Sequence, residues 1–329
     1  MVRDDVLRAL EQHRGQLVSG GTLAKELGVS RTAVWKAIST LRDMGFPIES
    51  VAGEGYRLAL SSDALSEAGI VMELKTERLA RQLRVLSTVD STNTYLKERA
   101  ADLPDGYAVI ADSQTAGRGR RGRSFLSPSG TGIYISILLH PTLPLERINM
   151  ITVGAAVAVS EAIAETAGFT PDIKWVNDVL KNGKKLCGIL TEASVEAETG
   201  QLSYAVVGVG VNIRPPEGGL PEELRDIAGS LEEFAPHPVR RNAFAASFFN
   251  HMESCYQLIV SGNTEALIDR YRSFIHFLGE PITVIRNGEK QPATAVAIDP
   301  SGHLVIEQDG KRSTMLAGEI SIRLPEQAQ

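Results

Sequence analysis

Residues 117–125 read GRGRRGRSF, with four arginines (Arg118, Arg120, Arg121, Arg123) interleaved with three glycines (Gly117, Gly119, Gly122). Guanidinium forks match phosphate and carboxylate oxygens with paired hydrogen bonds. Glycine at this density lets the backbone take positive φ and approach a ligand closely. The stretch therefore suits a loop that closes over a small anion. A solvated basic loop, or a tag for nucleic acid, has the same composition. These residues alone leave both readings open.

A second candidate is PDIKWVNDVLKNGKKLCGILTEASVE, residues 171–196. Asn-Gly is the strongest short hairpin signal, and Asn182-Gly183 is placed to form the turn. With that turn, Lys181 faces Lys184, Leu180 faces Lys185, Val179 faces Leu186 and Asp178 faces Cys187. Period-two alternation then puts Lys174, Asp178, Leu180, Lys185 and Cys187 on one face. Asp178 and Lys185 become diagonal neighbours, roughly 7–8 Å apart at Cα. Such a pair suits a phosphate with a divalent metal or an amine, and equally a surface salt bridge. Gly188 leaves room for something to press on this hairpin. A third candidate is DSTN, residues 90–93, where Asp90 or Ser91 caps a helix. Free backbone N–H groups with Ser91, Thr92 and Asn93 suit a polar or anionic ligand, or plain capping.

The elements that must position these residues read as alternating strands and helices. LRVLSTV, AVIADSQ, GIYISILL and YAVVGVGVNI are strands, the last carrying two glycines and ending at Asn212. Between them, PLERINMITVGAAVAVSEAIAETAG reads as a long apolar helix buried against a sheet, with Gly154, Ala155, Ala156 and Ala158 allowing close packing. SSDALSEAG is a polar linker entering a helix expected to run through Leu74 and Leu79. After residue 279, short alternating strands with turns at Asn287-Gly288, Pro300-Ser301-Gly302 and Asp309-Gly310 read as a small barrel, either a stabilising cap or a direct participant.

The N-terminal 62 residues read differently. Val6, Leu7 and Leu10 stripe a first helix, TLAKELG follows Gly20-Gly21, and Ser30 is placed to cap RTAVWKAISTLRDMG. Two short helices joined by a Gly-containing turn are a helix-turn-helix arrangement. FPIESVAGEGYRL then reads as a hairpin wing. Arg31, Thr32, Trp35, Lys36 and Thr40 are available on the outer side of the second helix, with Arg57 on the wing. Eight basic against seven acidic residues leave this head at +1, so the chain total of −6 puts −7 on the remainder. A +1 head binds DNA weakly as a monomer, and pairing on two half-sites offsets this. A winged helix used only for protein contacts is the other reading.

Bulk properties bound the rest. A chain of 329 residues with 43% apolar content accommodates two or three domains. Cys187 and Cys255 make no disulfide framework or metal spacing, and are expected to be inert thiols. The first residues carry no apolar signal core, and no run approaches the roughly 18 apolar residues that span a bilayer. A cytoplasmic, membrane-free protein is the expectation.

DSTN (90–93), QTAGRGRRGR (114–123), KWVNDV (174–179), KKLCGIL (184–190) and GVGVNI (208–213) occur in this order. The set resembles the motifs of biotin–protein ligases, and with the winged helix the whole chain resembles the bifunctional ligases that also repress biotin genes. The resemblance implies an α/β (α+β) multidomain protein. Residues 1–62 would be the winged helix-turn-helix and 63–278 a mixed-sheet ligase domain of class II synthetase-like type. Residues 279–329 would be an SH3-like β-barrel. It implies formation of biotinyl-5'-AMP from biotin and ATP with Mg2+, then transfer to a lysine of the biotin carboxyl carrier protein of acetyl-CoA carboxylase. It also implies operator DNA as a partner and a homodimer when loaded with biotinyl-AMP.

Residue by residue, the resemblance gives Ser91, Thr92, Asn93, Gln114, Gly117, Arg118, Gly119, Arg120, Lys185 and Gly188 to biotin. Arg120, Arg121, Arg123, Phe125, Lys185, Asn212 and Arg323 would meet ATP. Lys185, Arg118, Arg120 and Asp178 are the catalytic candidates. Asn177 and Asp178 would orient the carrier lysine, with Mg2+ near Asp178 and Asn212. Where the family often has tryptophan stacked on adenine, this chain has Phe125. A lipoate–protein ligase and a non-catalytic biotin-sensing regulator are the alternatives.

Overall fold

The computed structural model describes residues 2–196, 198, 201–286, 289–316 and 319–322. The chain divides into two compact units, one of Met1–Leu74 with Arg240–Ala246, the other of Lys75–Val239 with Ser247–Gln329.

In the first unit, α1 (Val2–Gln12), α2 (Gly20–Glu26) and α3 (Arg31–Asp43) precede a hairpin of β1 (Ile48–Val51) and β2 (Gly55–Leu58). Ser19 and Ser30 cap α2 and α3 by accepting from Thr22 N and Ala33 N. Val6, Leu10, Leu23, Val34, Ile38, Leu41 and Leu58 close one core. The stripes expected on α1 and α3 therefore face inward. Arg31, Thr32, Trp35, Lys36 and Thr40 are exposed, and Trp35 at 58% is no core residue. Arg57 pairs with Glu49 across the wing.

The helix expected through Leu74 and Leu79 is much shorter: α4 (Glu67–Val71) ends early. Its continuation is prevented because the following N–H groups have other acceptors. Lys75 N donates to Asn250 Oδ1, and Glu77, Arg78 and Leu79 donate to the Glu253 carboxylate. Residues 63–74 cluster with the head, where Asn242 receives Ser66 N and donates to Ala64 O, and Arg241 grips Asp63.

The second unit is built on β3 (Leu83–Val89), α5 (Thr92–Lys97), β4 (Ala108–Gln114), β5 (Gly132–Leu139), α6 (Ile148–Ala167), β6 (Asp172–Lys174), β7 (Asp178–Lys181), β8 (Lys184–Val195) and β9 (Leu202–Asn212). α7 (Arg241–Val260), which belongs to this unit from Ser247 onward, and α8 (Thr264–Ser273) follow. The strands form one mixed sheet in the order β3-β4-β5-β9-β8-β7-β6, with β3 parallel to β4 and the other neighbours antiparallel. α5 and the turn after it cover one face through Leu96 and Ala100 on Val109, Leu138 and Val206. α6 covers the other, where Thr152 meets Thr191 at 2.8 Å. A Cβ at Gly154 would lie 3.3 Å from Cys255 Cβ and 3.2 Å from Ile259 Cδ1, so this glycine lets α6 and α7 approach. By length and composition α6 could cross a membrane, but most of it is buried inside the protein.

The C-terminal strands β10 (Pro281–Arg286), β11 (Glu289–Ile298), β12 (Leu304–Gln308), β13 (Lys311–Met315) and β14 (Glu319–Ile322) form an antiparallel sheet ordered β13-β12-β11-β10-β14. Its turn at 299–302 meets the part of the unit built on the larger sheet: Trp175 Nε1 donates to Gly302 O at 3.0 Å, and Asn149 Nδ2 to Ser301 O at 3.3 Å. The Asn287-Gly288 turn and Arg323 lie outside the described residues.

Candidate functional site

The β7–β8 hairpin supplies one wall. Asn182 (φ 50°) and Gly183 (φ 79°) both take the left-handed region, as a two-residue type I′ turn requires. Lys181 pairs Lys184 and Leu180 pairs Lys185 as expected, but a bulge follows. Val179 then pairs Cys187, and Asp178 pairs Gly188. The expected pairings of Val179 with Leu186 and Asp178 with Cys187 are therefore corrected, because Leu186 is an extra residue on β8. Cys187 leaves the face of Asp178 for the buried side, where burial pushes its thiol up and keeps it protonated. Lys185 keeps its diagonal relation to Asp178, and Nζ lies 2.7 Å from Oδ1. The backbone of Lys185 is also clamped: its N donates to Ile227 O and its O accepts from Gly229 N.

The arginine-rich loop is a small clip rather than an open flap. Gly119 N donates to Arg123 O at 2.7 Å and Phe125 N to Gly117 O at 2.9 Å. Arg121 (φ 57°) and Gly122 (φ 74°) form its tip. Gly117 and Gly119 do not have positive φ. Gly117 is needed for space, since a Cβ there would sit 2.4 Å from Phe125 O. Arg120 leans inward and donates to Asn177 Oδ1 at 2.8 Å, tying the clip to the hairpin arm. Asn177 in turn donates to Asp178 Oδ1 at 3.1 Å and Ile189 O at 3.2 Å. The Phe125 ring lies over the bare backbone of Gly210 and Gly188, with its edge contact to Tyr134 at 6.3 Å.

The opposite wall is the N-terminus of α5. Ser91 caps it, accepting from Thr94 N. Ser91, Thr92 and Asn93 are each 3% exposed, so their polar atoms must find partners. Thr92 N and Oγ1 both point at Gln114 Oε1, at 3.0 and 3.2 Å, and Gln114 Nε2 donates to Ser127 Oγ. Ser136 Oγ lies 2.6 Å from Asn93 Oδ1 and 2.7 Å from Thr92 Oγ1. Asn93 Nδ2 donates to Leu190 O and to Glu192, whose other oxygen binds Lys97 Nζ at 2.6 Å. Burial pushes the Glu192 carboxyl up, but the hydrogen bonds from Lys97 and Asn93 outweigh it and hold the pKa below the ordinary value.

These walls enclose about 470 Å³, counting the part open to solvent, within the range of small-molecule sites. Ser91, Thr92, Asn93, Gln114, Arg118, Gly119, Arg120, Phe125, Asn177, Lys185 and Gly188 all line it. Asp178 reaches it through Lys185. Arg121, Arg123 and Gly117 are not among the lining residues, and neither is Asn212, whose Nδ2 donates to Gly229 O. Among the described residues no three metal-ligating side chains gather. Sequence reasoning missed Ser127, Tyr134, Ser136, Ile189, Leu190 and Glu192. The one signal present was GVGVN, whose alternation sets Gly208 and Gly210 on a single strand face under Asn93 and Phe125.

Comparisons with known proteins identify the family of the chain. The family described as Biotin/lipoate A/B protein ligase matches residues 85–212, an HTH domain matches 2–57, and the Biotin protein ligase C terminal domain matches 277–323. The chain is 40% identical over 257 residues to the Bifunctional ligase/repressor BirA of Bacillus subtilis, covering 78% of this chain and 77% of that protein. It is 31% identical over 316 residues to the protein of the same name from Escherichia coli, covering 95% of each. Among solved structures, the biotin protein ligase from Aquifex aeolicus in complex with biotin and ATP is similar with a TM-score of 0.63 at 30% identity. That match covers 74% of this chain and 99% of that chain.

Proposed function

Because this chain belongs to the biotin protein ligase family, we propose that it joins biotin to a lysine of a biotin carboxyl carrier protein in two steps, the first of which consumes ATP. A biotin carboxylate oxygen attacks the α-phosphorus of ATP, and pyrophosphate leaves to give biotinyl-5'-AMP. The carrier lysine then attacks the acyl carbon, its amine loses a proton and AMP leaves. The observation that carries this reading is the single pocket in which Lys185, Arg118 and Arg120 face the polar wall of Ser91, Thr92, Asn93 and Gln114. A carboxylate and a triphosphate repel each other, and these cations offset the repulsion and stabilise charge in the transition state. No nucleophilic serine or cysteine is needed.

The polar wall takes the uncharged end of biotin. Lys185, Arg118 and Arg120 meet its carboxylate and the α-phosphate, with Phe125 presenting a ring to the adenine. Arg121, Arg123 and Arg323 act on ATP from the clip tip and the C-terminal domain. Asn177 and Asp178 receive the carrier lysine. A lone carboxylate at Asp178, with an amide oxygen from Asn212, suits Mg2+ held mainly by phosphates and water. Residues 1–62, 63–278 and 279–329 serve as DNA reader, ligase domain and C-terminal domain of a cytoplasmic protein. The test is incubation of the protein with ATP, magnesium and labelled biotin or lipoate plus a biotin carrier domain. Biotin transfer is expected, and transfer of lipoate alone would replace this reading.

The exposed outer face of α3, with Arg31, Thr32, Trp35, Lys36 and Thr40, favours a second role as a repressor of biotin genes. In this role biotinyl-AMP is the corepressor, and loaded homodimers occupy two operator half-sites. Footprints should strengthen when biotin and ATP are added together, and indifference to both would remove the role.

A further inference from the structure

The pocket face of the sheet carries one lysine that the proposed reaction does not use. In the β6–β7 hairpin, Asp172 pairs Leu180, Ile173 pairs Val179 and Lys174 pairs Asp178. Paired residues share a face, and neighbours along a strand alternate. Ile173 and Val179 are buried, so Lys174 and Asp178 lie together on the other face. Lys185, which pairs Leu180, belongs to that face as well and lines the pocket. Directly opposed residues have Cβ atoms roughly 4.5–5.5 Å apart, which puts the Asp178 carboxylate within reach of the Lys174 side chain. Lys174 is half-buried, yet among the described residues it has no hydrogen-bond or ion-pair partner. The other acid on its strand face, Asp172, already holds His276. Asp178 is instead occupied by Lys185 Nζ at 2.7 Å and Asn177 Nδ2 at 3.1 Å, both on Oδ1.

We propose that Lys174 is a positioning residue for adenylation: it takes Asp178 as its own partner when Lys185 turns to the reacting oxygens. The inference rests on the function proposed above and deepens it. Lys185 and Asp178 form a neutral pair. Such a pair stabilises charge developing between a carboxylate and an α-phosphate weakly, because the aspartate offsets the field of the ammonium. With Lys174 included, two ammonium groups stand against one carboxylate, and one positive charge is left for the reaction. Without Lys174, the departure of Lys185 strands a part-buried carboxylate, which is unfavourable, so Asp178 holds Lys185 back. Lys174 acts through Asp178 rather than on substrate. It is not among the pocket-lining residues, and its strand is the outermost of the sheet, with β7 between it and β8.

The test uses the full-length protein and measures biotin-dependent pyrophosphate exchange, with kcat and the KM values for biotin and ATP taken separately, and Tm. Lys174→Met should lower kcat about tenfold while both KM values stay within about twofold, the pattern of an interaction made only in the transition state. Lys174→Arg keeps the charge and should hold kcat within about threefold of wild type. In an Asp178→Asn background no acid competes for Lys185. Adding Lys174→Met there should change kcat by less than about twofold, the non-additivity expected when one residue acts through another. Lys174→Gln is a second neutral variant and replaces Lys174→Met if that protein does not fold. An unchanged kcat in the neutral variant overturns the inference. A loss confined to the KM for ATP also overturns it, because that would mean direct contact with phosphate. So does an undiminished loss in the Asp178→Asn background, which would mean that Lys174 acts without Asp178, and so does a loss that Lys174→Arg fails to repair. Wild-type protein without biotin-dependent exchange would instead remove the proposed function, and this inference with it.

Discussion

Lys185 reaches Asp178 from its diagonal place on the hairpin, and Ile227 and Gly229 hold the Lys185 backbone from the far side. Its ammonium is the group best placed to meet charge developing between a carboxylate and a phosphate. Lys185→Ala should lower biotin-dependent pyrophosphate exchange about 100-fold or more, the scale expected for a lost electrostatic stabiliser. Biotin should still bind measurably, and exchange at the wild-type rate would refute the role. Gly208 acts by absence. A Cβ there would sit 2.2 Å from Asn93 Oδ1 and force that side chain away. Gly208→Ala should raise the biotin Kd about tenfold, since a displaced polar group leaves ligand atoms unpaired. An unchanged Kd would mean that Asn93 adjusts without loss.

At the scale of elements, two contacts hold the site's supports together. Trp175, buried in the turn between β6 and β7, donates its indole N–H to Gly302 O in the turn between β11 and β12. Trp175→Phe keeps the ring and removes the donor. The expected cost is about 1–2 kcal/mol in urea unfolding, and an unchanged midpoint would dismiss the contact. Between the two long helices, His251 of α7 lies between two α6 carboxylates, Nδ1 3.0 Å from Glu161 and Nε2 3.0 Å from Glu165. Both ring nitrogens can donate only in the imidazolium. The hydrogen bond to Glu161 is the main cause of a raised pKa; burial opposes it and Glu165 adds to it. Because the folded value lies above the ordinary one of about 6.5, the clamp contributes fully below that pH. Its contribution is lost as pH rises through the folded value. The Tm gap between wild type and His251→Ala should therefore narrow from acidic to alkaline pH. A gap independent of pH would show that the histidine only packs.

At the scale of the molecule, the head unit is not confined to the first 62 residues. Residues 63–74 and the first turn of α7 cluster with it, and Arg241 and Asn242, 5% and 4% exposed, depend on Asp63, Ala64 and Ser66. A chain beginning at residue 63 keeps these partners, and one beginning at 75 loses the Asp63, Ala64 and Ser66 hydrogen bonds to Arg241 and Asn242. The longer chain should melt well above the shorter one, while both keep adenylation, because every pocket-lining residue belongs to the other unit. Equal melting temperatures would mean that the head unit does end at residue 62.

What could be read without coordinates was whatever depends on local pattern. The caps at Ser30 and Ser91, the Asn182-Gly183 turn, the four main strands and the buried long helix all follow from residue type and spacing over a few positions. The ordered motifs were equally legible, and most of the residues they name do line one pocket. What could not be read depends on partners distant in the chain. The helix expected to reach Leu79 is not made there because a carboxylate nearly 180 residues later takes the N–H groups of Glu77, Arg78 and Leu79. Cys187 changes face because Leu186 bulges, which alternation alone cannot foresee. Ser136 and Glu192 carry no motif signature, since a serine in a buried strand and a glutamate after an apolar run look ordinary until Asn93 is set between them. Sequence alone thus determined which chemistry this chain carries and where its elements begin. Only the tertiary structure decided which hydrogen bonds those groups make, because that depends on which acceptor lies opposite each donor.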